Sequence, residues 1–161
     1  MHVLIDNEFI KYSNLIEEIL PKKSFEKTFF VGTKITTSDI KSADAILCRS
    51  VTKLNQEFLK DSQISVIASA TSGTDHISDD LINSKNYQTF FSSGANAWSV
   101  VHYVMAVIET LIAKELFSSE KSVGIIGYGN IGERLGKTLS AFNIPWHAND
   151  PFLEDKNLVD L

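Results

Sequence analysis

One cysteine stands in the 161 residues, so no disulfide can form within the chain. Cys48 lies in the apolar run Ala45-Ile46-Leu47-Cys48, which reads as a buried, inert thiol rather than a nucleophile. A basic cluster is also missing. Fifteen Lys and Arg against twenty Asp and Glu give a net charge of −5, and Lys22-Lys23 is the densest basic pair. Binding to nucleic acid needs a clustered basic surface, so no nucleic-acid partner is expected. Nor is there a long uncharged hydrophobic run. The richest stretch, residues 97–117, holds His102, Glu109 and Lys114, whereas a spanning helix needs ~20 apolar residues with few charges. It reads as a buried helix of a soluble protein, with no membrane partner. Asp6, Glu8 and Lys11 interrupt the apolar positions near the start. That is not the pattern of a secretory signal, and the expected compartment is the cytoplasm.

What is there suits a globular α/β protein. The chain is 43% hydrophobic and 22% charged, as ordinary soluble domains are. Its length fits one average domain or two small ones. A chain of ~150 residues buries roughly 70% of its unfolded surface, so neither a disulfide nor a metal is needed for a core. Apolar, β-rich runs predict strands at residues 2–6, 27–31, 43–48, 65–70 and 87–91. Helical spacing falls between them, at 14–20, 54–59 and from 78 to 81. Strands separated by helices predict a parallel sheet with helices on its faces. Asn96 is a plausible N-cap for the long helix 97–117. Residues 122–127 read as a buried strand, 130–142 as a helix and 145–149 as a last strand. A domain boundary is expected near residues 94–96, giving units 1–95 and 96–161.

The sharpest motif is Gly127-Tyr128-Gly129-Asn130-Ile131-Gly132. Alone, GxGxxG is weak evidence. Here a strand runs into it, an amphipathic helix with Ile131, Leu135 and Leu139 runs out of it, and another strand ends at Asp150. Gly127 permits a tight turn, Gly129 allows close approach of a pyrophosphate, and Gly132 lets helix and strand pack closely. The helix N-terminus offers N–H groups and partial positive charge to phosphates. Asp150 would accept hydrogen bonds from the adenosine ribose and repel a 2′-phosphate, which favours NAD over NADP. A glycine-rich turn that binds nothing, or one that takes another adenosine ligand such as S-adenosylmethionine, remains open at this point. A full dinucleotide fold has two βαβαβ halves. Only eleven residues follow Asp150, so the nicotinamide half is expected to be absent.

Two loops follow predicted strand ends: Arg49-Ser50-Val51-Thr52-Lys53 and Thr71-Ser72-Gly73-Thr74-Asp75-His76. Parallel sheets bind ligands at the carboxyl ends of their strands. Hydroxyls, amides and cations there suit a small anion carrying a carboxylate or phosphate. Arg49, Ser50, Lys53, Thr71, Ser72 and Gly73 are the candidate contacts. Against that stands the reading of these residues as ordinary turn and cap formers. His76 reads as a loop or capping histidine, and His102 as a packing residue on an apolar helix face. His2 and His147 have no visible partners.

In their order along the chain, these pieces resemble the D-isomer-specific 2-hydroxyacid dehydrogenases. The segments that carry the likeness are the two loops, Gly94-Ala95-Asn96-Ala97 and the GxGxxG turn. The resemblance implies a flavodoxin-like substrate domain followed by the first βαβ unit of a Rossmann domain. It implies that Ser50 and Thr71 bind substrate, and that Gly127, Gly129, Asn130, Ile131, Gly132 and Asp150 serve NAD. It implies oxidation of a small phosphorylated 2-hydroxy acid by a cytoplasmic homodimer, with the long helix near the interface. Position 102 is His where the family commonly has Glu. The family's catalytic Arg, Glu and His have no matching positions in these residues, so no catalytic residue is assigned. A second reading is a catalytically inactive NAD-binding or protein-interaction remnant of the same family.

Overall fold

A computed structural model describes residues 1–118 and 121–152. The chain divides into two compact units, the first Met1–Ser93 and the second from Gly94 onward. The tail after Phe152, where the sequence reading expects truncation, lies outside the described residues.

In the first unit five strands form one parallel sheet: β1 His2–Asp6, β2 Glu26–Phe30, β3 Ala45–Cys48, β4 Val66–Ser69 and β5 Gln88–Phe91. Their order is β2-β1-β3-β4-β5. This is the flavodoxin-like order, and it reverses direction between β1 and β3. Side chains alternate across the sheet. Leu4, Ile46, Cys48 and Ile67 join Ile40, Leu54, Leu59 and Leu81 in one core. Val3, Ile5 and Ala45 meet Phe9, Ile16, Leu20 and Phe29 on the other face. Burial on both faces is why β1, β3 and β4 read as nearly unbroken apolar runs, while the edge strands β2 and β5 alternate with exposed residues.

The first-unit helices are short and locally specified. α1 Ser13–Ile19 follows a 3-10 turn at Asn7–Tyr12 and stops before Pro21. α2 Gln56–Leu59 is capped by Asn55, whose Oδ1 accepts the Phe58 N–H at 2.8 Å. α3 Asp79–Ile82 opens with two carboxylates that complement its dipole.

The second unit holds α4 Ala97–Ala113, β6 Val123–Ile126, α5 Asn130–Ala141 and β7 Trp146–Asn149. β6 and β7 pair in parallel around α5, a single βαβ unit. Val101 and Ile108 of α4 pack with Ile125, Leu135, Leu139 and Ala148. Three expectations are corrected here. α4 ends at Ala113, four residues early, where Glu115 takes a left-handed φ of 59°. Asn96 occupies the N-cap position, but its side chain makes no capping hydrogen bond. Neither α4 nor β6 is fully buried. Trp98, Tyr103, Val107 and Ile112 are exposed on α4, and Ile126 is 84% exposed on β6. The reason is geometric: α4 and α5 cover the Val123 and Ile125 face of the two-stranded sheet. Gly124 and Ile126 point to the other face, which nothing covers among the described residues. No helix among the described residues is long and apolar enough to cross a membrane.

Candidate functional site

The two polar loops of the first unit are clamped together at both ends. At the start, the Ala70 N–H donates to the Cys48 carbonyl at 3.1 Å, extending the β3–β4 pairing into the loops. At the finish, the Leu54 N–H donates to the His76 carbonyl and the Ser78 N–H to the Leu54 carbonyl, both at 2.9 Å. Leu54 and Ile77, buried in the core, form an isolated parallel bridge at that point. Residues 49–53 and 71–76 are therefore held side by side by backbone bonds that any side chain permits. Their side chains are left free to vary, which is the usual division of labour between scaffold and binding loop. Ser50, Lys53 and Gly73 are exposed on this edge and Thr71 is half-buried. Lys53 pairs with Asp75 at 3.9 Å, a solvent-facing contact of little energetic weight. Ser72 donates to the Ser92 carbonyl at 3.3 Å, tying the second loop to the segment after β5.

Arg49 reaches across the point where the strand order reverses. Its Nη2 lies 3.2 Å from Oδ1 of Asp6, the last residue of β1. Asp6 is wholly buried while Arg49 is about a third exposed. A buried carboxylate needs a partner charge and hydrogen bonds, and Oδ1 also accepts the Glu8 N–H at 3.0 Å. The loop after β2 closes the back of this pair. A Cβ on Gly32 would stand 2.5 Å from Asp6 Oδ2 and 2.8 Å from Thr52 Oγ1, so only glycine fits. The guanidinium is thus held at the β1–β3 switch point with about a third of its side chain exposed. Asp6, Gly32 and Thr52 were not among the sequence candidates. The available signal was a carboxylate closing the otherwise apolar strand His2–Asp6.

His76 lies in a turn, as expected, but is buried there. It is 2% exposed, and its Nε2 lies 2.8 Å from Ser69 Oγ, which lies 2.8 Å from Thr71 Oγ1. Burial holds its imidazole below the usual histidine range. Cys48, paired with Ser69 across β3 and β4, is fully buried, its thiol pushed up to about 12, chiefly by desolvation. His2 does have partners, Ser42 O at 3.2 Å and Thr28 Oγ1 at 2.9 Å, and it pins β1 to its neighbours. His102 is exposed and tilted against Trp98, with ring centroids 6.0 Å apart.

In the second unit the glycine turn has the conformation its spacing predicts. Gly127 sits at φ +90°, a region L side chains avoid. A Cβ on Gly132 would fall 2.1 Å from the Gly127 carbonyl oxygen and 3.2 Å from Ile125, so α5 packs too closely on the turn for any side chain. A Cβ on Gly129 would meet nothing within 4 Å. Gly129 is the N-cap of α5 and supplies no capping side chain. Open space in front of uncapped helix N–H groups fits a phosphate. Ile131 is exposed at this helix start, next to Asn130. One helical turn past Gly132, Gly136 lets Trp146 lie against the helix, and Tyr128 stacks on that ring at 5.7 Å.

Asp150 follows β7 and folds back on the turn. Oδ2 accepts the Tyr128 N–H at 2.8 Å and Oδ1 the Phe152 N–H at 3.0 Å. These bonds hold its carboxyl below the usual carboxylate range. It is therefore a latch for the turn as well as an ionised acceptor with lone pairs to spare, a second role the spacing did not disclose.

Comparison with known proteins gives the same outline. Residues 10–141 match the family described as D-isomer specific 2-hydroxyacid dehydrogenase, catalytic domain. Erythronate-4-phosphate dehydrogenase of Wigglesworthia glossinidia brevipalpis is 36% identical over 162 residues, covering 100% of this chain and 42% of that protein. The Ruthia magnifica enzyme of the same name is 32% identical over 166 residues, covering 100% and 47%. The chain thus spans less than half the length of these relatives. Among solved structures, NAD+-bound 3-phosphoglycerate dehydrogenase in Entamoeba histolytica superposes with a TM-score of 0.74 at 23% identity, covering 100% of this chain and 57% of that one. D-lactate dehydrogenase from Aquifex aeolicus, complexed with NAD and lactic acid, gives 0.73 at 22%, covering 96% and 52%. Those two likenesses are of fold. The sequence match over residues 10–141 establishes that this chain belongs to the D-isomer specific 2-hydroxyacid dehydrogenase family.

Proposed function

We propose that these residues form the substrate unit and the first part of the cofactor unit of an NAD-dependent dehydrogenase acting on 4-phospho-D-erythronate. The product is the corresponding 2-oxo acid, a step towards pyridoxal phosphate. The observation that carries the reading is the pair of clamped loops at the β1–β3 switch point, with Arg49 presented by a buried carboxylate. This edge of the sheet, which carries Ser50, Thr71, Lys53, Ser72 and Gly73, suits a ligand bearing both carboxylate and phosphate. The names of the relatives supply the particular hydroxy acid.

The chain's own residues bind and orient. Arg49 and Lys53 neutralise the anionic substrate, and the Ser50 and Thr71 hydroxyls fix its position. Gly127, Gly129, Asn130, Ile131 and Gly132 cradle the pyrophosphate at the start of α5, and Asp150 accepts the ribose hydroxyls. Held there, NAD would supply the acceptor for the hydride that leaves C2 of the hydroxy acid. The negative charge of Asp150 disfavours a 2′-phosphate and so selects NAD over NADP. No catalytic acid or base is assigned to these residues. A cytoplasmic homodimer is part of the proposal. The exposed Trp98, Tyr103, Val107 and Ile112 on α4 support a second copy meeting this helix.

The test is NADH formation by the gene product that carries these residues, offered 4-phospho-D-erythronate, D-lactate and 3-phosphoglycerate in turn. A kcat/KM at least tenfold higher with 4-phospho-D-erythronate is expected. Preference for another hydroxy acid removes the substrate assignment. No turnover with any of them favours the inactive binding module.

A further inference from the structure

We propose that His76 is a positioning residue: through the Ser69 hydroxyl it fixes Thr71 as a hydrogen-bond donor to an anionic oxygen of the substrate. The inference rests on the reading of Thr71 as a substrate contact.

The chain of contacts is short and buried at its inner end. His76 Nε2, Ser69 Oγ and Thr71 Oγ1 stand at successive distances of 2.8 Å. What the distances leave open is the direction in which the protons run, and donor accounting decides it. His76 Nδ1 is buried and has no partner. A buried N–H without an acceptor is rarer in folded proteins than an underused lone pair, and an imidazole, unlike the guanidinium Nε of Arg49, can avoid it by its choice of tautomer. The neutral ring therefore carries its proton on Nε2, and Nε2–H donates to Ser69. Burial, which lowers the affinity of this imidazole for a second proton, keeps the ring neutral.

Ser69 then accepts from His76 and, at 3.4 Å, from the Thr71 N–H. Both lone pairs of its oxygen are used, so its single proton must be donated onward. Two acceptors lie within reach. The Cys48 sulfur is one, but it stays a neutral thiol, a weak acceptor. The Thr71 oxygen at 2.8 Å is the other and takes the proton. Thr71 Oγ1, filled on that side, has its own proton left for a partner outside this chain of bonds. Thr71 is half-buried at the start of the second clamped loop, next to the end of β3. The group it meets must be an acceptor, as a carboxylate or phosphate oxygen is. Successive donation also polarises each bond in the series, strengthening the last. A histidine at the far end supplies a fixed donor without bringing a charge of its own to this edge of the sheet.

The experiment uses the gene product carrying these residues, with 4-phospho-D-erythronate and NAD as substrates. Thr71→Val is expected to raise KM for the hydroxy acid about tenfold or more, the usual weight of one hydrogen bond to a charged group. KM for NAD should not move. Ser69→Ala and His76→Phe are expected to raise KM for the hydroxy acid several-fold, and to add nothing when combined with Thr71→Val. His76→Gln, whose amide can donate from the Nε2 position, should restore most of the loss. The imidazole 15N shifts of His76 should report the Nε2–H tautomer. If Thr71→Val leaves KM unchanged, the assignment of Thr71 as a substrate contact fails and takes this inference with it. If Thr71→Val acts but Ser69→Ala and His76→Phe do not, only the positioning role is wrong. A variant that fails to fold is set aside for the other, and an Nδ1–H tautomer overturns the direction outright.

Discussion

Replacing Gly132 by alanine and Gly129 by valine should have opposite consequences, although both glycines belong to one motif. A methyl on Gly132 would stand 2.1 Å from the Gly127 carbonyl oxygen and 3.1 Å from its carbon, where at least 3.0 Å is needed. The obstacle is backbone, which cannot rotate aside as a side chain would. Either α5 retreats from β6 or the turn deforms, and the Ile125–Leu135–Leu139 core opens with it. Overpacking of this kind costs about 1–3 kcal/mol, and a clash with main chain belongs at the upper end. Better helix propensity returns at most about 1 kcal/mol. The net expectation is a loss of about 2 kcal/mol, or a fall of roughly 8–16 °C in the midpoint of a unit this size. Both tryptophans, Trp98 and Trp146, lie in the second unit, so tryptophan emission follows its unfolding apart from the first. At Gly129 a side chain meets nothing, and the backbone is extended at φ −84°. Gly129→Val should shift the midpoint by no more than about 0.5 kcal/mol, while weakening NAD binding by at least ~tenfold in the gene product that carries these residues. Equal stability losses in the two variants would refute the packing argument. An unchanged NAD affinity in folded Gly129→Val would refute the cofactor assignment.

Asp6→Asn removes the charge that holds Arg49, leaving a third-exposed guanidinium facing a neutral amide. The expected loss is about 1–3 kcal/mol in urea unfolding, smaller than for a fully buried pair because Arg49 can reach water. An unchanged midpoint would mean the pair is ornamental. Cys48, its thiol pushed up to about 12, should not react with a disulfide reagent in the native chain at neutral pH and should react fully once the chain is unfolded in denaturant. Prompt native-state labelling would contradict its burial. The lowered proton affinity of His76 predicts a stability term that is complete above its ordinary value of 6.5. As pH falls below that value, the unfolded chain takes up a proton that the folded one resists. Stability therefore drops until the folded imidazole is protonated too. Urea midpoints followed from neutral to mildly acid pH should show this drop in the native chain and a flatter profile in His76→Gln. Identical profiles would place the imidazole in contact with water.

The central strands were legible because a sheet buried on both faces writes itself as apolar runs, and His2–Asp6 and Ala45–Cys48 need no further context. The glycine turn was legible for a related reason: a positive φ at Gly127 and a closed gap at Gly132 admit one residue type. Coverage was not legible. The sequence of β6, Val123-Gly124-Ile125-Ile126, looks the same whether one face or two are covered, and Ile126 turned out to be open. α4 misled in the same way, since an apolar helix face says nothing about what lies opposite. The partners of long-range pairs were hidden too. Asp6 and Arg49 are 43 positions apart, and nothing local marks them as a pair until the strand order sets β1 beside β3.

That pairing bears on where the first unit spends its stability. The buried side-chain atoms without a hydrogen-bond partner, among the described residues, are Asp6 Oδ2, Arg49 Nε, Thr52 Oγ1, His76 Nδ1 and Ser78 Oγ. Asp6 ends β1, Arg49 and Thr52 lie in the first clamped loop, and His76 and Ser78 close the second. All five therefore belong to the carboxyl edge of the sheet. A buried polar atom left unpaired costs about 1–3 kcal/mol, and scattered errors of packing would not gather on one edge. Polar groups concentrated behind two polar loops serve a purpose other than stability. On the proposed function, that purpose is to present Arg49 and Thr71 to an anion.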